Sequence, residues 1–126
     1  MCLGAVRTLL GLVATASPSL VARPWIGGEA AELFGNRVLG RALGGRDLAL
    51  GLGLLATAAK GGPTRAWVEA GVLSDLIDAG ITVAAAPRLP ATGRWLVLGS
   101  AAGAACVGVA AAWSMSSSPV QLGGDI

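Results

Sequence analysis

Four apolar runs of membrane-span length, three of them closed by helix breakers, limit what this chain can fold into. They cover about Leu3 to Ala22, Val38 to Ala59, Ala66 to Ala86 and Trp95 to Trp113. Each is close to the roughly 20 residues a helix needs to cross the hydrocarbon core of a bilayer. Arg23-Pro24-Trp25 follows the first, Lys60-Gly61-Gly62-Pro63 the second and Pro87-Arg88-Leu89-Pro90 the third. Proline removes a backbone donor and glycine admits left-handed backbone, so such clusters end helices. The expected fold is all-α: a single four-span domain over 1–113, an up-down-up-down integral membrane bundle with short connections. A cleaved signal peptide is the rival reading of the first run, because Ala14-Thr15-Ala16 resembles a small-residue cleavage site.

Between the first two runs, Ile26, Ala30, Leu33 and Phe34 share one helical face, with Glu29 and Glu32 on the other. That pattern predicts a short interfacial helix over about 26–35, ended by Gly35-Asn36, with a plain surface turn as the alternative. Residues 114–126 are polar and rich in Gly, Ser and Pro, and read as a flexible tail. The four tryptophans, Trp25, Trp67, Trp95 and Trp113, all fall at run ends, where interfacial anchors belong. Gly40 with Gly44, and Gly99 with Gly103, are small residues four apart, a spacing that lets membrane helices approach closely. Arg23, Arg37, Arg88 and Arg94 flank the first and third connections and favour placing these in the cytoplasm, with both termini outside.

Composition removes several function classes. Charged residues are 13% of the chain and hydrophobic ones 54%, against about 25% charge in an ordinary soluble domain. The net charge of +2 is spread along the sequence, which argues against nucleic-acid binding. There is no histidine, which removes the usual haem, zinc and general-base chemistry. Cys2 and Cys106 are too few for a metal cluster and read as small apolar residues. No catalytic residue, metal site or cofactor is expected. Gly51-Leu52-Gly53-Leu54-Leu55-Ala56 matches a dinucleotide fingerprint only on paper, since no strand precedes it.

The informative residues are the ionisable ones inside the runs. Counting about 1.5 Å per residue from each midpoint, Arg46, Asp47, Asp75 and Asp78 lie within roughly 4 Å of the bilayer centre. Arg41 lies about 11 Å from it, near enough for its side chain to reach the surface. Arg7 and Glu69 fall toward the opposite face. A mid-bilayer charge costs at least about 2.5–3.5 kcal/mol, so the four central groups need partners. Asp75 and Asp78 are three apart and share a helix face, with Arg46 as the expected counter-ion. One arginine against three carboxylates leaves a formal −2, which calls for a bound cation or for protonated aspartate. Glu69 is expected to pair with Arg65 or Arg7 instead.

The pattern Arg41-x-x-x-Gly45-Arg46-Asp47-x-x-x-Gly51, followed by a run bearing Asp75 and Asp78, resembles a family of small four-helix bacterial membrane proteins of unknown function, allied to the DoxX-like group. The resemblance covers most of 1–113. It implies a partner subunit of a membrane redox complex in the inner membrane, with Arg46, Asp47, Asp75 and Asp78 as the residues carried over. The chain has no redox-cofactor ligand set of its own, so the resemblance does not imply an oxidoreductase.

The resulting expectation is a multi-pass plasma-membrane protein, non-enzymatic, acting as an accessory or structural subunit. Its partners would be the lipid bilayer and another membrane subunit or further copies of itself. A proton- or cation-handling module using Asp75 and Asp78 is the alternative. A metal-dependent lipid-phosphate enzyme built on the Asp75-x-x-Asp78 pair is the remaining one.

Overall fold

The computed structural model describes residues 2–96 and, beyond them, positions 98, 99, 103, 106 and 110. Trp113 and the expected tail, 114–126, lie outside the described residues, as does much of the fourth run. The described chain is helical, with no strand among these residues. Its elements are α1 (Cys2–Ala16), α2 (Pro18–Ile26), α3 (Gly28–Glu32), α4 (Phe34–Ala59) and α5 (Arg65–Ala85), then a 3-10 turn over Ala86–Arg88. A helical stretch over 91–96 follows.

The first apolar run is two helices, where one was expected. Ser17 leaves the helical region at φ −134° and ψ 71°, and Pro18 opens α2 at a position where a missing N–H costs nothing. The two axes bend by 97°. The expected interfacial helix over 26–35 is also divided. Leu33 is extended (φ −62°, ψ 136°), so α3 stops at Glu32 and α4 starts at Phe34. Gly35-Asn36 therefore begins a helix where it was expected to end one. The Asn36 side chain donates to the Ala30 carbonyl at 2.8 Å, tying α4 back across the break. Leu33 and Phe34 are exposed, and Ala31 is the buried residue of this segment.

Lys60-Gly61-Gly62 ends α4 as expected. Gly62 N–H donates to the Thr57 carbonyl and Gly61 N–H to that of Ala58, at 2.9 and 3.0 Å. Gly61 sits at φ +65°, the left-handed residue this closure requires. The third run, expected over 66–86, is α5 over Arg65–Ala85, stopped before Pro87.

α1 packs along α4 more extensively than any other pair of helices meets. The pairing is antiparallel: Gly4 lies against Gly51 and Leu55, Gly11 against Gly44 and Leu48, and Pro18 against Gly40. The contact is made largely by backbone. A Cβ on Gly11 would stand 2.7 Å from the Gly44 carbonyl oxygen, and one on Gly44 would stand 2.7 Å from the Thr15 nitrogen. Gly40 and Gly44 thus play the expected role, joined by Gly4, Gly11 and Gly51. Among the described residues, nothing lies within 4 Å of a Cβ built on Gly99 or Gly103. Thr8 and Thr15 on this seam satisfy their hydroxyls on the carbonyls of Gly4 and Gly11, one turn back.

Large apolar side chains lie outside. Phe34 is 83% exposed, Leu9 63% and Ile81 62%, and no large side chain is fully buried among the described residues. No single helix among these residues is long and apolar enough to cross a membrane, but α1 and α2 pass together as a bent pair. Length is not what α4 and α5 lack. At 26 and 21 residues they reach roughly 39 and 31 Å. Charged residues lower their hydropathy: Arg37, Arg41, Arg46 and Asp47 on one, Arg65, Glu69, Asp75 and Asp78 on the other.

Candidate functional site

α5 keeps its backbone well away from α1 and approaches α4 closely only along a short stretch. Side chains bridge the space. Near one end the Trp67 ring covers Gly53 of α4, at a distance that leaves no room for a Cβ there. Near the middle, five charged residues form a ladder of alternating sign. Arg46 on α4 grips Asp78 on α5 with both Nη atoms, at 3.0 and 2.7 Å. Its Nη2 also lies 3.3 Å from Asp47 Oδ1. The same Asp47 oxygen accepts from Arg7 Nη1 at 2.9 Å. Arg7 Nη2 then donates to Asp75 Oδ2 and, at 3.2 Å, to the Gly71 carbonyl.

The ladder is a closed circuit. It leaves α5 at Asp75, passes through α1 and α4, and returns to α5 at Asp78, one turn further on. Gly71 makes the seat for Arg7: a Cβ there would stand 3.2 Å from the guanidinium nitrogens. Thr82, nearly fully buried, donates to the Asp78 carbonyl at 2.8 Å and fixes the next turn of α5.

All four expected residues, Arg46, Asp47, Asp75 and Asp78, thus meet. Arg46 is the counter-ion of Asp78, as expected, but Asp75 belongs to Arg7. Arg7 is the member that the sequence reading missed, and the reason is geometric. Its depth was counted along one straight run from Leu3 to Ala22. With the break at Ser17, the middle residue of α1 is Leu9, so Arg7 stands near the centre of its helix. The charge count changes with it. Two guanidinium groups against three carboxylates leave a formal −1, where −2 was expected. Glu69 stays out of the circuit and pairs with Arg65 at 2.6 Å, one of its two expected partners.

The circuit is shielded without being sealed. Arg7 is 12% exposed, Asp47 26% and Asp75 33%. Both Asp78 oxygens are occupied, whereas Asp47 Oδ2 and Asp75 Oδ1 accept no hydrogen bond among the described residues. Arg46 Nε is buried without an acceptor there, as is Trp25 Nε1. Arg7, Asp47, Asp75 and Asp78 contribute to the lining of a cavity of about 600 Å³ bounded by α1, α2, α4 and α5 and by Leu96 and Gly103 of the fourth run. Leu3, Leu10, Leu50 and Val72 are among its apolar walls, and Trp25 and Trp67 also line it. Trp95 lies on the outside, 74% exposed. The Trp25 carbonyl abuts Gly93, bringing the segment after the 3-10 turn against α2.

No three His, Cys, Asp or Glu side chains among the described residues are placed to hold a metal ion. Asp75 and Asp78 are directed at different arginines and do not converge on one point. Compared with protein families, with curated proteins and with solved structures, the chain matches none.

Proposed function

We propose that the chain is a multi-pass integral membrane protein, an up-down-up-down helical bundle acting as a non-enzymatic accessory or structural subunit. The observation that carries this reading is the inverted distribution of polarity. Many Leu, Ile, Val and Phe side chains, Leu9, Phe34 and Ile81 among them, are exposed, while glycine backbone and the Arg/Asp circuit lie between the helices. In water that arrangement would leave an apolar exterior with little core beneath it. In lipid it is favourable, because membrane helices associate through close packing and polar pairing. Five charges at one level are tolerable there only if they satisfy one another, and the circuit pairs each carboxylate with an arginine, leaving a formal −1.

Within this reading the circuit holds α5 to the α1/α4 pair. The role is assembly of the subunit, with its outer apolar surface available to lipid, to another membrane subunit or to further copies. The test is alkaline carbonate extraction of membranes from cells expressing the full chain. Retention in the pellet is expected, and release into the supernatant would overturn the membrane assignment. Light scattering of the detergent-solubilised protein then measures whether copies associate.

A proton- or cation-handling module is the second reading, favoured by the formal −1 of the circuit. It would act through Asp75, since Asp78 is held at both oxygens by Arg46.

A further inference from the structure

The cavity beside the circuit combines three properties that the assembly role does not require. It has room for a small organic molecule: about 600 Å³ falls within the roughly 300–1,000 Å³ of ligand pockets. Its walls are mainly apolar, and the charged groups that line it all belong to the circuit. The circuit carries a formal −1 and two carboxylate oxygens, Asp47 Oδ2 and Asp75 Oδ1, that accept nothing among the described residues. Both belong to partly exposed side chains, so an occupant can reach them.

We propose that this cavity binds an organic monocation carried on an apolar body, an alkylammonium being the simplest example. One positive charge brings the circuit to neutrality. An ammonium donates to the free oxygens of Asp47 and Asp75 without displacing either arginine. Its alkyl portion lies along Leu10, Leu50 and Val72. Trp25 and Trp67 supply aromatic surface of the kind that attracts ammonium groups. An anionic amphiphile would meet like charge at the circuit, and a neutral one would leave the carboxylate excess uncompensated. The inference rests on the circuit and its cavity and not on the accessory role.

The chemistry is shared by a free alkylammonium and by the ammonium headgroup of a phospholipid. The experiment uses the full chain in phosphatidylcholine nanodiscs, titrated with decylammonium, decanol or decanoate and followed by tryptophan fluorescence against protein-free discs. Saturable binding of decylammonium is expected, at least tenfold tighter than that of decanol or decanoate. Asp75→Asn should weaken decylammonium tenfold or more while leaving decanol unchanged. Val72→Phe, which fills the cavity without touching an ion pair, should weaken both decylammonium and decanol. Equal binding of decylammonium and decanol would overturn the proposal, as would an unaltered affinity in Val72→Phe. If Asp75→Asn fails to fold, the comparison of ligands and the Val72→Phe variant still decide. Replacing part of the phosphatidylcholine with phosphatidylethanolamine assigns the source: competition identifies the lipid headgroup, and its absence a free cation, each on a confirmed site. Loss of binding in a chain that still resists carbonate extraction would overturn this inference alone.

Discussion

Arg7 on α1 and Arg46 on α4 donate to the same oxygen, Asp47 Oδ1, at 2.9 and 3.3 Å. Asp47 thereby separates two like charges and couples the two pairs that reach α5. Charge-assisted hydrogen bonds contribute about 1.5–3 kcal/mol each when shielded from water. Removing one member leaves its partners uncompensated.

Asp75 and Asp78 should therefore respond differently to the same substitution. Asp75→Asn takes the circuit from −1 to neutral and leaves Arg7 with Asp47 and the Gly71 carbonyl. Asp78→Asn makes the same charge change but leaves one acceptor, and an NH2 group facing a guanidinium, where Arg46 had two short contacts, and Arg46 Nε is already buried without an acceptor. We expect Asp78→Asn to lower stability by about 2 kcal/mol or more, and Asp75→Asn by under half of that. Thermal unfolding of the detergent-solubilised variants measures the difference, and equal losses would contradict the circuit.

Arg7→Met should be more harmful alone than with Asp75→Asn. The single variant leaves three carboxylates against Arg46, and the double variant leaves two. A double-mutant cycle is expected to give a coupling of about 1 kcal/mol or more. Simple additivity would place Arg7 outside the network.

The α1/α4 seam makes opposite predictions for adjacent glycines. Gly44→Ala puts a methyl group into the Thr15 backbone, whereas among the described residues nothing lies within 4 Å of a Cβ on Gly45. Gly44→Ala should cost about 1–3 kcal/mol through overpacking. Gly45→Ala should be neutral or stabilise by about 0.5–1 kcal/mol, as alanine does in a helix interior. Similar melting temperatures for the two variants would contradict the close approach.

Away from the apolar runs, Glu32 pairs with Arg23 at 2.8 Å. The Arg23 hydrogen bond, against a small opposing effect of burial, holds the Glu32 carboxyl below the usual carboxylate range. A depressed folded value stabilises the fold above the unfolded pKa, and that contribution fades as pH falls through the folded one. Carbon-13 titration of the Glu32 carboxyl should show the lowered midpoint. Arg23→Gln should return it toward the ordinary value, and no change would mean that the pair does not form in solution.

The helical class, α5 almost to the residue, and four of the five circuit members were legible from hydrophobic runs and charge depth. Those signals come from local composition and from the fixed rise of a helix. Arg7 was not legible, because its depth depends on whether the chain stays straight through Ser17-Pro18. An apolar count treats that proline as one more residue of the run. The 26–35 segment failed for a related reason. Its apolar face assumed continuous helix, but extended Leu33 breaks the period and leaves Ala31, a residue off that face, buried. The seven-residue steps Gly4 to Gly11 and Gly44 to Gly51 were present in the sequence. They gain meaning only once the antiparallel register is known.

The uneven way in which α5 is held has a dynamic consequence. α1 and α4 interlock along their length through backbone, so separating them exposes many groups at once. Among the described residues α5 is retained mainly by side chains, with a cavity beside it. Its opening releases, among the described residues, Arg7 and Arg46 from two aspartates and Trp67 from Gly53, which places it toward the low end of the local unfolding free energies. Amide exchange in α5 should outpace that in α1 and α4. Neutralising the ladder should speed exchange in α5 first.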